Sequence, residues 1–307
     1  MTSEQPSEAR LKTYRGCCHC GAYIFDAKLP EASSINASEC NCSICSRLGA
    51  VWKFPLRSED IAFVKGDLAT LTSYAFGNKM ITYKFCPKCG VSLVGVGYLQ
   101  PPKEGEEREP AIAVSLRAIQ QGQGLDIWKM DLGFVDGASF PPVYESPVYT
   151  GPEPKAEVEG GKLYTGSCHC GAVRVAVKTK PLGKTYDAPI RECNCSICLR
   201  HGALWIYPNK EQVEIQGEEN LGTYTFGTHA WGKTFCKTCG VPVHNQIQAL
   251  TEEQLGKFSE DVRNFILGAA HLKPVNIRIL NGINTKELNV SRIDGYSMPP
   301  VFVEPQP

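Results

Sequence analysis

Two stretches of this 307-residue chain read ECNCSIC, at Glu39–Cys45 and at Glu192–Cys198. Each places three thiols in the spacing C-x-C-x2-C: Cys40, Cys42 and Cys45 in one copy, Cys193, Cys195 and Cys198 in the other. Three sulfurs on one short loop can wrap a single ion. Zinc with three protein ligands keeps a fourth position open, as catalytic zinc does. The competing reading is a closed site completed by a distant Asp or Glu. A further histidine or cysteine cannot serve both copies. The only histidine near the first copy, His19, lies between two other cysteines, and the spare Cys17 is matched by Ser167. A zinc ion held by three thiolates is soft and favours another sulfur. A thiol bound there would be held as thiolate. The chemistry implied is therefore that of a small thiol and a carbon–sulfur bond.

The remaining clustered cysteines form pairs of pairs. Cys18 and Cys20 go with Cys86 and Cys89, and Cys168 and Cys170 go with Cys236 and Cys239. A glycine follows each pair, where a metal knuckle must turn through positive φ. Four thiolates from two distant hairpins make a closed tetrahedral site whose binding energy is folding energy. Up to four zinc ions per chain are expected. Fifteen cysteines at these tight spacings suit metal or thiol chemistry better than a disulfide framework.

These ligands need elements to hold them, and the chain supplies the same set twice. YRGCCHCGA (Tyr14–Ala22) matches YTGSCHCGA (Tyr164–Ala172), and FCPKCGV (Phe85–Val91) matches FCKTCGV (Phe235–Val241). SLRAI (Ser115–Ile119) resembles NIRIL (Asn276–Leu280), and DGASFPP (Asp136–Pro142) resembles DGYSMPP (Asp294–Pro300). The order is kept throughout, which marks a tandem duplication. A first unit is expected over residues 11–145 and a second over 162–305, joined by a Pro-, Gly- and Glu-rich linker over 146–161. GAVRVAVKTK alternates Val173, Val175 and Val177 with other residues, the period of a strand. AIAVSLRAI and PVNIRIL read as further strands. A capping box of Thr251 and Gln254 predicts a helix over QLGKFSEDVRNFI in the second unit. The fold class is mainly β, built of short antiparallel strands.

Composition excludes some functions. Formal net charge is zero and no Lys/Arg-rich run occurs, which counts against a nucleic-acid partner. No apolar run reaches membrane-spanning length, and the polar N-terminus lacks a signal-peptide core. An intracellular, cytoplasmic protein is expected. The run EGEEREP (Glu104–Pro110) reads as a solvated loop.

At the cysteine motifs the chain resembles the glutathione-dependent formaldehyde-activating enzyme family, also called the centromere protein V/Gfa family. The matching motifs are G-x-C-x-C-G, then C-x-C-x2-C with a following glycine, F-C-x2-C-G, a strand with Asn-x-Arg, and DG. All stand in both units, with Ser115 replacing the asparagine in the first. The resemblance implies tandem Mss4-like, mainly β domains with two zinc ions each. It implies a structural zinc at C-x-C plus C-x2-C and an active centre at C-x-C-x2-C. The activity implied is a carbon–sulfur lyase type, joining glutathione to formaldehyde as S-(hydroxymethyl)glutathione. A non-catalytic carrier of glutathione or its adduct, and a zinc-stabilised protein-interaction module, are the alternatives. Members of the family are commonly single domains, and here Leu48 aligns with His201 and Asn78 with Thr228, so the two pockets need not be alike.

Glutathione carries two carboxylates, so cations near the three-cysteine loops are candidate substrate ligands. Arg47 and Arg200, two residues past each third cysteine, suit a carboxylate. Arg117 and Arg278 read as exposed strand arginines, Trp52 and Trp205 as core, and Cys17 as a bystander. His201 is a candidate general base beside the second loop, ahead of His229 and His244.

Overall fold

The computed structural model describes residues 11–98, 100 and 107–307. Of the acidic run, Glu104–Glu106 lie outside the described residues, and Glu107–Pro110 are exposed. The first unit contains β1 (Leu11–Cys17), β2 (Ile24–Pro30), β3 (Ala37–Cys40), helix α1 (Ser43–Leu48), β4 (Val51–Leu56), β5 (Ile61–Lys65), β6 (Thr72–Ala75), β7 (Ile81–Phe85), β8 (Ser92–Gly97), β9 (Ala111–Ser115) and β10 (Leu132–Val135). The second repeats this order with β11 (Lys162–Ser167), β12 (Arg174–Thr179), β13 (Ile190–Cys193), helix α2 (Ser196–His201), β14 (Leu204–Ile206), β15 (Val213–Gln216), β16 (Leu221–Tyr224), β17 (Trp231–Cys236) and β18 (Pro242–Ile247). There α3 (Glu252–Leu255) and α4 (Glu260–Gly268) are inserted before β19 (Val275–Asn276) and β20 (Val290–Ile293).

Each unit pairs a three-stranded sheet with a seven-stranded one. The orders are β1-β2-β5 and β10-β3-β4-β9-β8-β7-β6, and the second unit repeats both. The fold is mainly β, as expected, but the large sheets are mixed. β10 runs parallel to β3, and β20 runs parallel to β13. A parallel edge needs a long crossover, and residues between β3 and β10 supply it.

Strand β12 is buried more fully than its alternation implied, because Ala176 is as inaccessible as Val175 and Val177. The expected strands over AIAVSLRAI and PVNIRIL stop early. Each ends in a 3-10 turn, Leu116–Ala118 or Ile277–Ile279. In the second unit the Asn276 side chain caps that turn by accepting the Arg278 N–H. The Thr251/Gln254 capping box is present, yet the helix it starts ends at Leu255, and Ser259 leads into α4 as a second N-cap.

The two units share their cores. Ile197, Cys198, Ala203 and Trp205 belong to the first unit's apolar cluster, and Ile44, Cys45, Leu48 and Trp52 belong to the second's. Phe85 and Phe235 meet edge to face across the seam at 6.5 Å. The exchange extends to the C-terminal segment of each unit. Tyr144 stacks on His169 of the second unit, and Phe302 stacks on His19 of the first. Tyr144, at the end of the first unit, and Pro147, expected in the linker, thus lie against the second unit.

Candidate metal centres

The knuckles form because glycine permits them. Gly21, Gly90, Gly171 and Gly240 have φ of +70°, +71°, +79° and +72°. Cys20 Sγ lies 3.5 Å from Cys18 Sγ and 3.6 Å from Cys86 Sγ; in the second unit the corresponding distances are 3.6 and 3.5 Å. Four sulfurs at about 2.3 Å from one zinc would stand about 3.8 Å apart, so the spacing fits. Backbone N–H groups of Tyr23 and Val173 donate to Cys18 and Cys168 Sγ at 3.3 Å. All four sulfurs of each group lie within 4.8 Å of one another. Such crowding forbids four thiolates without a cation. Hydrogen bonding within the cluster pushes Cys18 up while holding Cys20 down. These groups could hold metal ions, and the donor set is that of zinc.

The three-cysteine groups are built differently from the expected loop. Only the first two cysteines sit in extended chain; Cys45 and Cys198 ride on the short helices α1 and α2. Cys42 and Cys195 are the N-caps, and Gly49 and Gly202 close the helices in the left-handed region at φ of 54° and 61°. The three sulfurs lie within 4.8 Å of one another, and no fourth His, Cys, Asp or Glu atom joins either group among the described residues.

The DG motif brackets each group. A Cβ on Gly137 would meet Cys40 Sγ at 2.5 Å, and one on Gly295 would meet Cys193 Sγ at 2.5 Å. Asn41 donates to Asp136 and receives the Ala138 N–H; Asn194 does the same with Asp294 and Tyr296. The parallel edge strands therefore have a clear role: they bring DG onto the cysteine loop. Cys40 is held down to about 3 by hydrogen bonds from Cys42 and Cys45, aided by the N–H groups of Cys42 and Gly137.

Trp52, expected in the core, is buried and also donates its indole N–H to Cys45 Sγ at 3.3 Å. Tyr83 OH stands 3.8 Å from the same sulfur. Its counterpart is Lys233, whose ammonium sits 5.1 Å over the Trp205 ring; hydrogen bonds from Cys193 and Cys195, and then this charge, lower Cys198. That difference escaped the motif reading, although aligning ITYKFC with WGKTFC exposes it.

The arginines and histidines lie elsewhere than expected. Arg47 is buried and spends its nitrogens on Ser167 O, Ser43 O and Ser146 Oγ. Arg200 is buried too, bonded to Cys17 O, Ser196 O and the Glu304 carboxylate. Both face the seam between units, with no guanidinium nitrogen turned to a substrate. His201 Nε2 meets Cys89 O across the seam at 2.8 Å, in place of the second three-cysteine group. His229 is exposed and bonds Thr225, while His244 is buried in β18. Cys17 is buried against Arg200 and Glu304. Arg117 and Arg278 are not exposed: the short turns after β9 and β19 carry them into the seam, where they donate to Gly49 O and Gly202 O at 2.5 and 2.8 Å. Sequence alone could not place them, because the other unit also buries them: Arg117 donates to Leu199 O, and Arg278 lies against Gly49.

A groove of about 1130 Å³ opens along this seam. It reaches Cys40 and Cys45 of the first unit and is walled on the far side by second-unit residues, including Arg278 and Lys286. None of the described helices is long and apolar enough to cross a membrane.

The chain is similar to known proteins in two respects. A crystal structure of a Rhodobacter sphaeroides protein is 30% identical to this chain, covers 42% of it and 97% of its own length, and superposes with a TM-score of 0.31. A family model described as glutathione-dependent formaldehyde-activating enzyme matches twice, over residues 13–119 and 163–259, and each match spans both cysteine groups of its unit. The chain therefore belongs to the glutathione-dependent formaldehyde-activating enzyme family and carries the family's sequence twice in tandem.

Proposed function

We infer that the protein is a zinc-dependent enzyme of the carbon–sulfur lyase type, acting on glutathione and formaldehyde or a closely related pair. The observation that carries this reading is the three-sulfur group at Cys40, Cys42 and Cys45, which faces a groove and is joined by no fourth His, Cys, Asp or Glu atom among the described residues. Cys18, Cys20, Cys86 and Cys89, with Cys168, Cys170, Cys236 and Cys239, would hold structural zinc. Cys40, Cys42, Cys45 and Cys193, Cys195, Cys198 would hold the reactive ions. A zinc ion there supplies a Lewis-acidic position that keeps a substrate sulfur ionised at neutral pH.

The chain's own groups do the rest. Cys40 is held by the Gly137 loop, and Cys45 by the Trp52 N–H, so the ligand triangle is fixed before substrate arrives. The reaction joins sulfur to the aldehyde carbon: the C=O π bond breaks, an S–C bond forms, and the thiol proton ends on oxygen. Thiol addition to formaldehyde is easy in water, so catalysis lies in holding the sulfur as thiolate beside a positioned carbonyl.

The test is exchange NMR on glutathione and 13C-labelled formaldehyde with the zinc-loaded chain. Interconversion faster than the buffer rate is expected, reduced in Cys42→Ser and lost when Cys195→Ser is added. Saturable binding of glutathione without any faster exchange would replace the enzyme with a carrier.

A further inference from the structure

The two halves of the seam are related by the duplication but are not alike in charge. Arg117 of the first unit is neutralised across the seam by Glu192 at 3.6 Å, and Arg292 shares that carboxylate at 3.4 Å. The counterpart of Arg117 is Arg278, and the counterpart of Glu192 is Glu39. That second pair does not close: Arg278 has no carboxylate within ion-pair distance among the described residues. Its Nε is committed to Gly202 O, and the guanidinium lines the groove. It is oriented before any ligand arrives, since Asn276 Oδ1 receives its backbone N–H together with that of Leu204 and the Asn276 amide donates to Pro242 O.

Arg278 also lies close to the first unit's cysteines. A Cβ on Gly49 would stand 2.7 Å from its Nε, and Gly49 closes the helix that carries Cys45. Further along the same wall, Lys286 stands over the Phe134 ring at 4.7 Å, exposed and with no acidic partner among the described residues. The groove thus holds four cations, Arg117, Arg278, Lys286 and Arg292, against two carboxylates, Glu39 and Glu192. The chain as a whole is neutral. Burial, and then the charge of Arg117, draw the Arg278 pKa down to about 10 against the upward pull of Glu192 and Glu39.

We propose that Arg278 and Lys286 of the second unit bind the carboxylates of the thiol substrate whose sulfur is held at Cys40, Cys42 and Cys45 of the first. This rests on the thiol reading of that cluster and goes beyond it: the active centre is composite, with chemistry from one repeat and substrate selection from the other. An acidic thiol would be preferred over a neutral one of the same shape.

The test is calorimetric titration of the zinc-loaded full chain with glutathione and with glutathione diethyl ester, which keeps the thiol and removes both carboxylates. Glutathione is expected to bind at least about tenfold more tightly than the ester, one charge-assisted contact being worth about that factor. Arg278→Gln and Lys286→Gln are each expected to cut this preference, and the double variant to erase it, while ester binding stays unchanged. Lys286 is exposed, so its variant reads out even if Arg278→Gln folds poorly. Retention of the full preference in both variants overturns the proposal and leaves the thiol reading intact. Absence of heat with either ligand overturns the thiol reading, and the proposal with it.

Discussion

At the scale of single residues, the two kinds of cysteine group make different demands on folding. Cys86 and Cys89 tie the β7–β8 hairpin to the Cys18–Cys20 knuckle, so their metal closes a long loop. Cys89→Ser should cost zinc and stability together, lowering the melting temperature by about 10 °C or more. Cys42→Ser should lose one zinc and part of the exchange activity yet melt near the parent, because α1 remains packed into the other unit's core. Equal loss of folding in both variants would favour scaffolding metal alone. Gly137→Ala tests the bracket around the first centre. Its Cβ would overlap Cys40 Sγ at 2.5 Å and Cys42 Cβ at 2.9 Å. The zinc content should fall from four toward three per chain by metal analysis, without global unfolding. A different residue sets a pH dependence remote from the metals. Burial draws His244 down to about 4 in the folded chain, against about 6.5 when unfolded. The unfolded chain therefore binds the extra proton first as pH falls, and stability drops by about 1.4 kcal/mol per unit between those values. Above pH 7 the effect vanishes. Denaturant titrations of the parent and His244→Gln at pH 7 and pH 5 isolate it, since acid release of zinc is common to both. A constant difference between the two proteins at the two pH values would refute it.

At the scale of elements, the segments that end the two units act as straps, and they differ where their sequences differ. Ser146 and Glu304 occupy equivalent places, each receiving the arginine of its own unit's helix, Arg47 or Arg200. Glu304→Ala would leave a fully buried guanidinium without its counter-charge, which costs about 3–5 kcal/mol. Ser146→Ala removes one neutral hydrogen bond from an arginine that has other acceptors, worth about 1 kcal/mol. Chemical denaturation of the two variants should show this inequality, and similar losses would refute the strap argument. The straps also mark what was legible in the sequence. The knuckles, the paired clusters and the duplication were readable, because cysteine spacing and glycine placement are local. The helices α1 and α2 were not, since six residues with serine, isoleucine and cysteine carry no helical period; the signal was the glycine after Leu48 and His201. The burial of Arg47, Arg117, Arg200 and Arg278 was invisible too, because each is buried by the repeat in which it does not stand or by the seam between them. VYESP, running from the first unit into the expected linker, carried no signal of its role, which depends on the His169 ring that Tyr144 meets.

At the scale of the whole molecule, the repeats form one cooperative body. Each histidine inside a knuckle reaches the first residue of the opposite helix: His19 bonds Ser196 Oγ at 2.9 Å, and His169 bonds Ser43 Oγ at 2.8 Å. Each ring also bonds a tyrosine of the other unit, Tyr224 or Tyr74. Gly49 and Gly202 bring the two helix ends so close that a Cβ on either would stand 2.2 or 2.3 Å from the other's side of the seam, at Gly202 O or Leu48 O. Cut between the units, each half would expose apolar residues that belong in its partner's core, Ile44 and Leu48 of α1 on one side and Ile197 of α2 with Trp205 of β14 on the other. Isolated halves spanning 11–153 and 154–307 should therefore self-associate or aggregate when made alone, and should form a one-to-one complex when made together. Light scattering after gel filtration reads the mass directly. Calorimetry of the intact chain should show one transition, because neither core is complete without the other. Two stable monomeric halves, each with its full zinc and its own melting curve, would mean that the seam is a contact between finished domains; the composite active centre would then be an accident of their proximity.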